Sequence, residues 1–309
     1  MSELGPLVEC VANFSEGRRA DVVEAIAEAI RATPGAHILD WSLDPDHNRS
    51  VITFAGGPES VGEAAVAAAG KAVELIDLNT QDGVHPRIGA ADVIPFVPLR
   101  RITLIECGWI AHSVGAELWN RYQLPVYLYG EAAVLPARRS LPYVRQGGYE
   151  FLKEAVKTDI NRFPDYGQAE LHPTAGAAAV GARKILIAWN IELDTADVEI
   201  AKSIALTIRE ANGGFAAVRA LGLALESKGI TQVSMNLTDF EVTPPHFVME
   251  RVQKLASEQG VKVLRSELIG LMPQKALDLA LDAGVDLLLE NPRTIEESLA
   301  AAGLSAGDR

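Results

Sequence analysis

Residues 184–214 read KILIAWNIELDTADVEIAKSIALTIREANGG. A short apolar run predicts a strand, Asp and Thr interrupt it, and apolar residues then recur at helical spacing up to a Gly-Gly stop. Downstream, AAVRALGLALESKG (216–229) and ITQVSMNLTDFEV (230–242) predict two strands joined through a Lys-Gly turn. PPHFVMERVQKLASEQG (244–260) predicts a helix opened by proline, and VKVLRSELIGLM (261–272) a closing strand. The order β-α-β-β-α-β is that of the ferredoxin-like split βαβ unit. The stretch from residue 273 onward reads as helical and is expected to cap an open face or to pack on a partner subunit.

The same order stands upstream. Residues 7–14 alternate as a strand, and residues 19–32 carry Val22, Ile26, Ala29 and Ile30 at helical spacing before Pro34-Gly35. Residues 36–43 and 49–57 predict a hairpin across DPDHN (44–48), and the Ala-rich residues 58–76 a helix. Residues 91–99 predict a strand whose two prolines call for bulges or an edge position. A helix over 102–122 and a strand over 125–130 follow. Residues 140–180 are less regular, with a helix around GGYEFLKEAVK (147–157) and a long loop, RFPDYGQAELHPTAGAAAVG (162–181). A loop of that length in a compact domain marks function or disorder. The expected fold class is α/β (an α+β sandwich) of two ferredoxin-like-related subdomains. They span residues 1–182 and 183–309, each a β-sheet with helices packed on it, with a ligand groove between them.

Composition narrows the function. The formal net charge of −13 argues against nucleic acid as a partner, because phosphate backbones demand clustered positive charge. The N-terminus lacks the basic and apolar regions of a signal peptide, and no run approaches the length of a membrane helix. Cys10 and Cys107 lie far apart in apolar contexts and read as buried, reduced thiols. Cytoplasmic location, no membrane association and no metal are therefore expected, since the six histidines show no zinc-ligand spacing.

His85, in DGVHPR (82–87), follows a turn and precedes proline, so its backbone is held extended. That is a suitable mount for proton chemistry, although an isolated histidine is commonly structural. Tyr127 and Tyr129 share one strand face, where they could stack on a ring or serve as core. GAAAVGA lacks the spacing of a phosphate-cradling loop. The pairs Arg100-Arg101 and Arg138-Arg139 read as solvated loop charge.

Seven stretches stand together in this order: VECVANFSEG, LDWSLDPDHNRS, HPRIGAADVIPFVP, PVYLYGEAA, HPTAGAAAVGARK, QVSMNLTDFE and SELIGLMP. From residue 7 to about residue 285 the chain resembles the formiminotransferase domain family, in its stand-alone form without a cyclodeaminase domain. The resemblance implies transfer of a formimino group from N-formimino-L-glutamate to N5 of tetrahydrofolate, a co-substrate, in histidine breakdown. It implies small-molecule substrates and a homodimer. The histidine of the HPR motif, here His85, then acts as acid and base. The cationic amidine calls for a carboxylate, with Asp40, Asp44, Asp46 and Glu16 as candidates. Animal members carry an acid where this chain has Ser42, so Asp44 is the expected substitute. Arg49, Arg87 and Arg183 are expected to hold substrate carboxylates. The folate segment maps to 167–176, with Gly167, Gln168, Leu171, His172, Pro173, Thr174 and Gly176 as contacts. A related donor, N-formylglutamate or 5-formyltetrahydrofolate, and folate binding without turnover are the alternatives.

Overall fold

The strand Leu7–Phe14 (β1) pairs with a strand on each side, and its alternate residues Val8, Cys10, Ala12 and Phe14 put one face into the core. After it come α1 (Ala20–Arg31), β2 (Ala36–Asp44), β3 (Arg49–Gly56), α2 (Pro58–Leu75), β4 (Ala91–Arg100), α3 (Leu104–Tyr122) and β5 (Val126–Gly130). Two short helices, α4 (Leu141–Val144) and α5 (Gly148–Ala155), lead to β6 (Ala178–Ala182). The computed structural model describes residues 5–45, 47–83, 86–290, 292–305 and 307. These form two units. The first runs through Arg183 and includes the described residues from Ala302 on, where Gly307 lies against the Arg100 side chain. The second is Lys184–Ala301.

In the first unit the strand order is β2-β3-β1-β4-β6-β5. The first four strands are antiparallel neighbours in the ferredoxin-like arrangement, and β6 then runs parallel to both β4 and β5. Helices α1, α2 and α3 cover one face, with Val23, Ile26, Ile30, Phe54, Phe96 and Leu118 among the core they enclose. Alanines at 64, 65, 68, 69 and 72 let α2 sit close to its neighbours, and a side chain at Gly70 would collide with the Tyr122 ring. α3 starts at a reciprocal cap: Thr103 Oγ1 accepts from the Glu106 amide (3.2 Å), and Glu106 Oε2 accepts from the Thr103 amide (2.7 Å).

Two points change here. For β4 the expectation of bulges holds and that of an edge position falls: the strand lies inside the sheet, and its prolines are absorbed locally. Pro95 has no N–H for the ladder, and the register to β1 passes from Cys10↔Phe96 to Asn13↔Val93; beside Pro98, Leu99 is an extra residue between Leu7↔Arg100 and Val8↔Pro98. The second change is β6, which occupies the end of the predicted loop 162–181. Alanine and glycine are poor strand formers in isolation. Sandwiched between two parallel strands, all five residues are buried, and Gly181 leaves room for the Tyr129 backbone and ring.

On the other face, Tyr127 and Tyr129 pack with Ile88, Val93, Val144, Leu152, Ala177 and Ala179, while Val126 and Leu128 face the helices. Tyr127 donates its hydroxyl to the Arg162 carbonyl (2.6 Å), so it is a core residue. Arg138 is also core rather than solvated loop charge. It is 2% exposed, pairs with Asp165 at 2.7 Å, donates to the Asn161 and Phe163 carbonyls, and stacks over Tyr127. Asp165 in turn accepts from the Leu128 amide (2.7 Å).

The second unit contains β7 (Ile187–Leu193), α6 (Val198–Ile208), β8 (Val218–Leu225), β9 (Ile230–Leu237), α7 (Pro245–Glu258) and β10 (Val263–Ile269). Its antiparallel sheet has the order β10-β7-β9-β8, the ferredoxin-like topology without extension. Trp189, Ile191, Val233, Met235, Val248 and Val252 form its core. Gly222 lets α6 lie directly on β8, since a Cβ there would meet the Lys202 amide. The tail helices α8 (Gln274–Asp282) and α9 (Ile295–Ala301) follow, and Ala276 and Ala280 of α8 join that same core. No helix among the described residues is long and apolar enough to cross a membrane.

Substituting Arg138→Met strands the Asp165 carboxylate. Urea unfolding of the variant is expected to show a loss of about 3–5 kcal/mol, the usual cost of breaking a buried pair from one side. Adding Asp165→Asn is expected to recover part of that loss.

Candidate functional site

Where β1 ends, β3 and β4 begin: Phe14 is paired with both Ser50 and Ala91. Backbone ladders stop at this end of the sheet, so side chains tie the loops together. β2 and β3 close their hairpin with Asp44 opposite Arg49. Asp44 Oδ1 accepts from the His47 amide (2.9 Å), and its Oδ2 lies 2.6 Å from His47 Nδ1. Partial burial works to raise the Asp44 pKa, but the His47 amide, the His47 ring and Arg49 outweigh it and hold the carboxyl below its ordinary value.

Glu16 is buried in the β1–α1 connection. It accepts from the Arg18 and Arg19 amides (2.9 Å each) and pairs with the Arg19 guanidinium. Burial pushes its pKa up, yet those donors prevail and leave it lowered. Glu16 is thus engaged at the start of α1. Asp40 is buried within β2 opposite Thr53. Asp46 and His85 lie outside the described residues.

Described residues before and after His85 bond to neighbouring segments. Asn48 Nδ2 donates to the Asp82 carbonyl (2.8 Å), and Gln81 Nε2 returns a bond to the Asn48 carbonyl (3.0 Å). Arg87 donates to the Gln81 carbonyl (2.8 Å) and pairs with Glu150 (3.1 Å). Arg145 donates to the Pro86 carbonyl and pairs with Asp92 at 2.8 Å. Asp92 is 3% exposed and also accepts from the Ile88 amide (2.7 Å). Burial pushes the Asp92 carboxyl up, with Arg145 pulling back first among its neighbours. Arg49 is pushed down by burial and then by the like charge of Arg145, with Asp44 and Asp92 acting in the opposite sense. A guanidinium stays charged in proteins, so Arg49 and Arg145 are two part-buried cations whose charges act on each other.

The 172–176 segment is an ordered turn. His172 and Gly176 exchange backbone hydrogen bonds (2.9 and 3.1 Å). It bridges both stems of the 79–90 loop: the Leu78 amide donates to Thr174 O (2.8 Å), Asn79 Nδ2 to Pro173 O (2.9 Å), and the Ala90 amide to Ala175 O (2.9 Å). His172 Nδ1 accepts from the Ala175 amide (3.0 Å), so the neutral ring carries its proton on Nε2. Burial lowers its pKa. Gly176 has φ +69°, and a Cβ there would strike the Ile88 carbonyl. Its freedom serves this turn's approach to the loop, where the sequence suggested room for a pterin.

The structure therefore gathers Asp44, Arg49, Arg87, His172, Pro173, Thr174 and Gly176 around the 79–90 loop. Leu171 is part-buried against both core clusters of this unit. Gly167 packs on Pro125 and Pro164, Gln168 is exposed, and neither bonds to the loop among the described residues. Arg183 follows β6, at the end of that strand opposite the 172–176 turn, and its charge acts on Tyr129. Burial pushes Tyr129 up to about 12. Sequence reasoning missed Asn48, Gln81, Asp92 and Arg145. Asp92 left a signal, a charge opening an apolar strand. Arg145 left none. Among the described residues no group of three or more His, Cys, Asp or Glu could hold a metal ion.

Comparison with known proteins decides the family. The formiminotransferase domain, N-terminal subdomain, matches residues 7–183, and the formiminotransferase domain matches residues 188–304. The chain belongs to the formiminotransferase family. Glutamate formimidoyltransferase of Streptococcus pyogenes serotype M1 is 42% identical over 89% of this chain and 91% of its own length. The glutamate formimidoyltransferase of Thermoplasma acidophilum is 44% identical over 88% and 89%. Formimidoyltransferase-cyclodeaminase of Rattus norvegicus is 46% identical over 89% of the chain, which spans about half (51%) of that relative. The two matched formiminotransferase subdomains meet at the same place as the two structural units.

The pH dependence of the formiminotransferase turn follows from His172. Because its folded pKa lies below the unfolded value of about 6.5, its contribution to stability is present above that pH. It is lost as pH falls through the folded value. Amide-exchange protection at residues 174–175 is expected to drop as pH falls below about 6.5. In His172→Gln, which offers an acceptor that does not titrate, that drop is expected to vanish.

Proposed function

We propose that this chain is a glutamate formimidoyltransferase: it moves the formimino group of N-formimino-L-glutamate to N5 of tetrahydrofolate, releasing glutamate. The observation that carries the reading is the pair of part-buried guanidinium groups, Arg49 and Arg145, beside a histidine loop whose described residues are tethered before and after His85. It is supported by similarity to stand-alone glutamate formimidoyltransferases over nine-tenths of their length.

In this mechanism N5 attacks the formimino carbon. His85 takes the proton that N5 loses and returns one to the departing glutamate nitrogen, two steps open to one imidazole near neutral pH. Arg49, Arg87 and Arg145 hold carboxylates of the donor or of the folate tail in planar forks. Asp44, kept ionised beside His47, faces the cationic amidine. The 172–176 turn presents backbone and the His172 Nε2–H to the pterin. Gly167 and Gln168 form the approach to it, and Arg183 serves the folate tail. The substrates are small molecules. The free, buried thiols of Cys10 and Cys107 suit a reducing, cytoplasmic setting, and the functional unit is a homodimer.

The test is turnover of formiminoglutamate and tetrahydrofolate, read as methenyltetrahydrofolate after acid cyclisation. His85→Ala is expected to lose about 10²–10⁴-fold in kcat while still binding folate. Product from N-formylglutamate instead would move the donor assignment, and folate binding without product from either donor would overturn catalysis. Arg49→Lys, which keeps the charge and loses the fork, is expected to raise the donor KM by about tenfold, the loss of one charge-assisted hydrogen bond.

A further inference from the structure

Asn48 is one of five described non-glycine residues at positive φ (47°), and it is 6% exposed. Asparagine tolerates this left-handed conformation better than most residues, yet its amide does more than fit the turn. Oδ1 accepts from the Gly17 amide in the β1–α1 connection (3.0 Å), and Nδ2 donates to the Asp82 carbonyl in the 79–90 loop (2.8 Å). The Asn48 carbonyl accepts from Gln81 Nε2 (3.0 Å). One residue thus joins three segments far apart in sequence.

The packing around it is just as close. A Cβ at Gly17 would run into the Asp44 carbonyl and the Arg49 backbone. A Cβ at Gly83 would stand 2.7 Å from the His47 carbonyl and 3.0 Å from Asn48 Cβ. The hairpin tip therefore rests on two glycines, one from each neighbouring segment, with the Asn48 amide between them. Both amide atoms are used, each in one direction only: oxygen toward Gly17, nitrogen toward Asp82.

We propose that Asn48 is a positioning residue for the transfer reaction, setting where the chain enters the His85 segment through its bond to the Asp82 carbonyl. This rests on the function proposed above. Its two-sided amide makes the idea separable from a general structural role. Asn48→Asp keeps an acceptor for Gly17 and turns the other atom from donor to acceptor, so it breaks only the arm to Asp82. Asn48→Gly keeps the backbone conformation and removes both arms.

The experiment compares the wild type, Asn48→Asp, Asn48→Gly and His85→Ala, each first checked for folding by circular dichroism and melting. Two readouts are taken: steady-state kinetics across pH, and hydrogen exchange of the peptide covering residues 79–90. Asn48→Asp is expected to lose about 10- to 100-fold in kcat, the scale set by ångström misplacement of a catalytic group, with the tetrahydrofolate KM held within about twofold, which leaves uniform binding intact. Its pH profile should shift, and exchange over 79–90 should quicken while the rest of the first unit keeps its protection. Asn48→Gly should share the kinetic loss and add a lower melting temperature.

Unchanged kcat and unchanged exchange in folded Asn48→Asp would overturn the proposal. So would a fall in melting temperature with kcat per folded molecule intact, since that is what a purely structural residue gives. If the wild type turns over no formimino donor, the functional reading fails instead. The exchange readout still decides whether Asn48 governs the loop.

Discussion

The short strand β6, Ala178–Ala182, decides where the candidate site forms. Inserted parallel between β4 and β5, β6 is buried along its whole length. Its register brings the chain in through the 172–176 turn, at the end of the sheet where β4 also starts. The turn must then satisfy its own backbone groups, and it does so on both stems of the 79–90 loop. Without β6, the first unit would be a plain ferredoxin-like sheet like the second. With it, the unit has a place where hairpin tip, histidine loop and turn converge.

That convergence departs from the usual habit of parallel α/β sheets, whose ligands lie beyond the carboxyl ends of the strands. Here the loops gather at the amino ends of β4 and β6, because the antiparallel half of the sheet sets the location. β1 runs the other way and ends there, so the start of α1 lies at the same end. The attraction of that helix terminus for anions is already taken up by Glu16. In the proposed reaction, recognition of a carboxylate is left to guanidinium groups.

Much of this was legible from residue order. Alternation over 7–14 and the Lys-Gly turn at 228–229 mark elements whose local pattern and tertiary setting agree, whereas the helix expected to run to Gly213-Gly214 ends at Ile208. β6 was hidden because its residues earn their place only from neighbours on both sides. Arg138 was hidden for a related reason: a guanidinium in a loop reads as solvated until Asp165 and two carbonyls are found around it. At the site, the motifs marked Arg49, Arg87 and the 172–176 turn. The residues that hold them, Asn48, Asp92 and Arg145, act through contacts between segments that no local pattern records.

The partial burial of Arg49 and Arg145 also bears on ionic strength. The chain as a whole is acidic, with a formal net charge of −13, and so repels an anionic ligand at long range. Dissolved salt shortens that repulsion to about 8 Å at physiological concentration. Partly buried charges are screened less. Moderate salt should then quieten the unfavourable outer field while sparing the inner attraction. An acidic protein can in this way capture an acidic ligand as readily in salt as in dilute buffer.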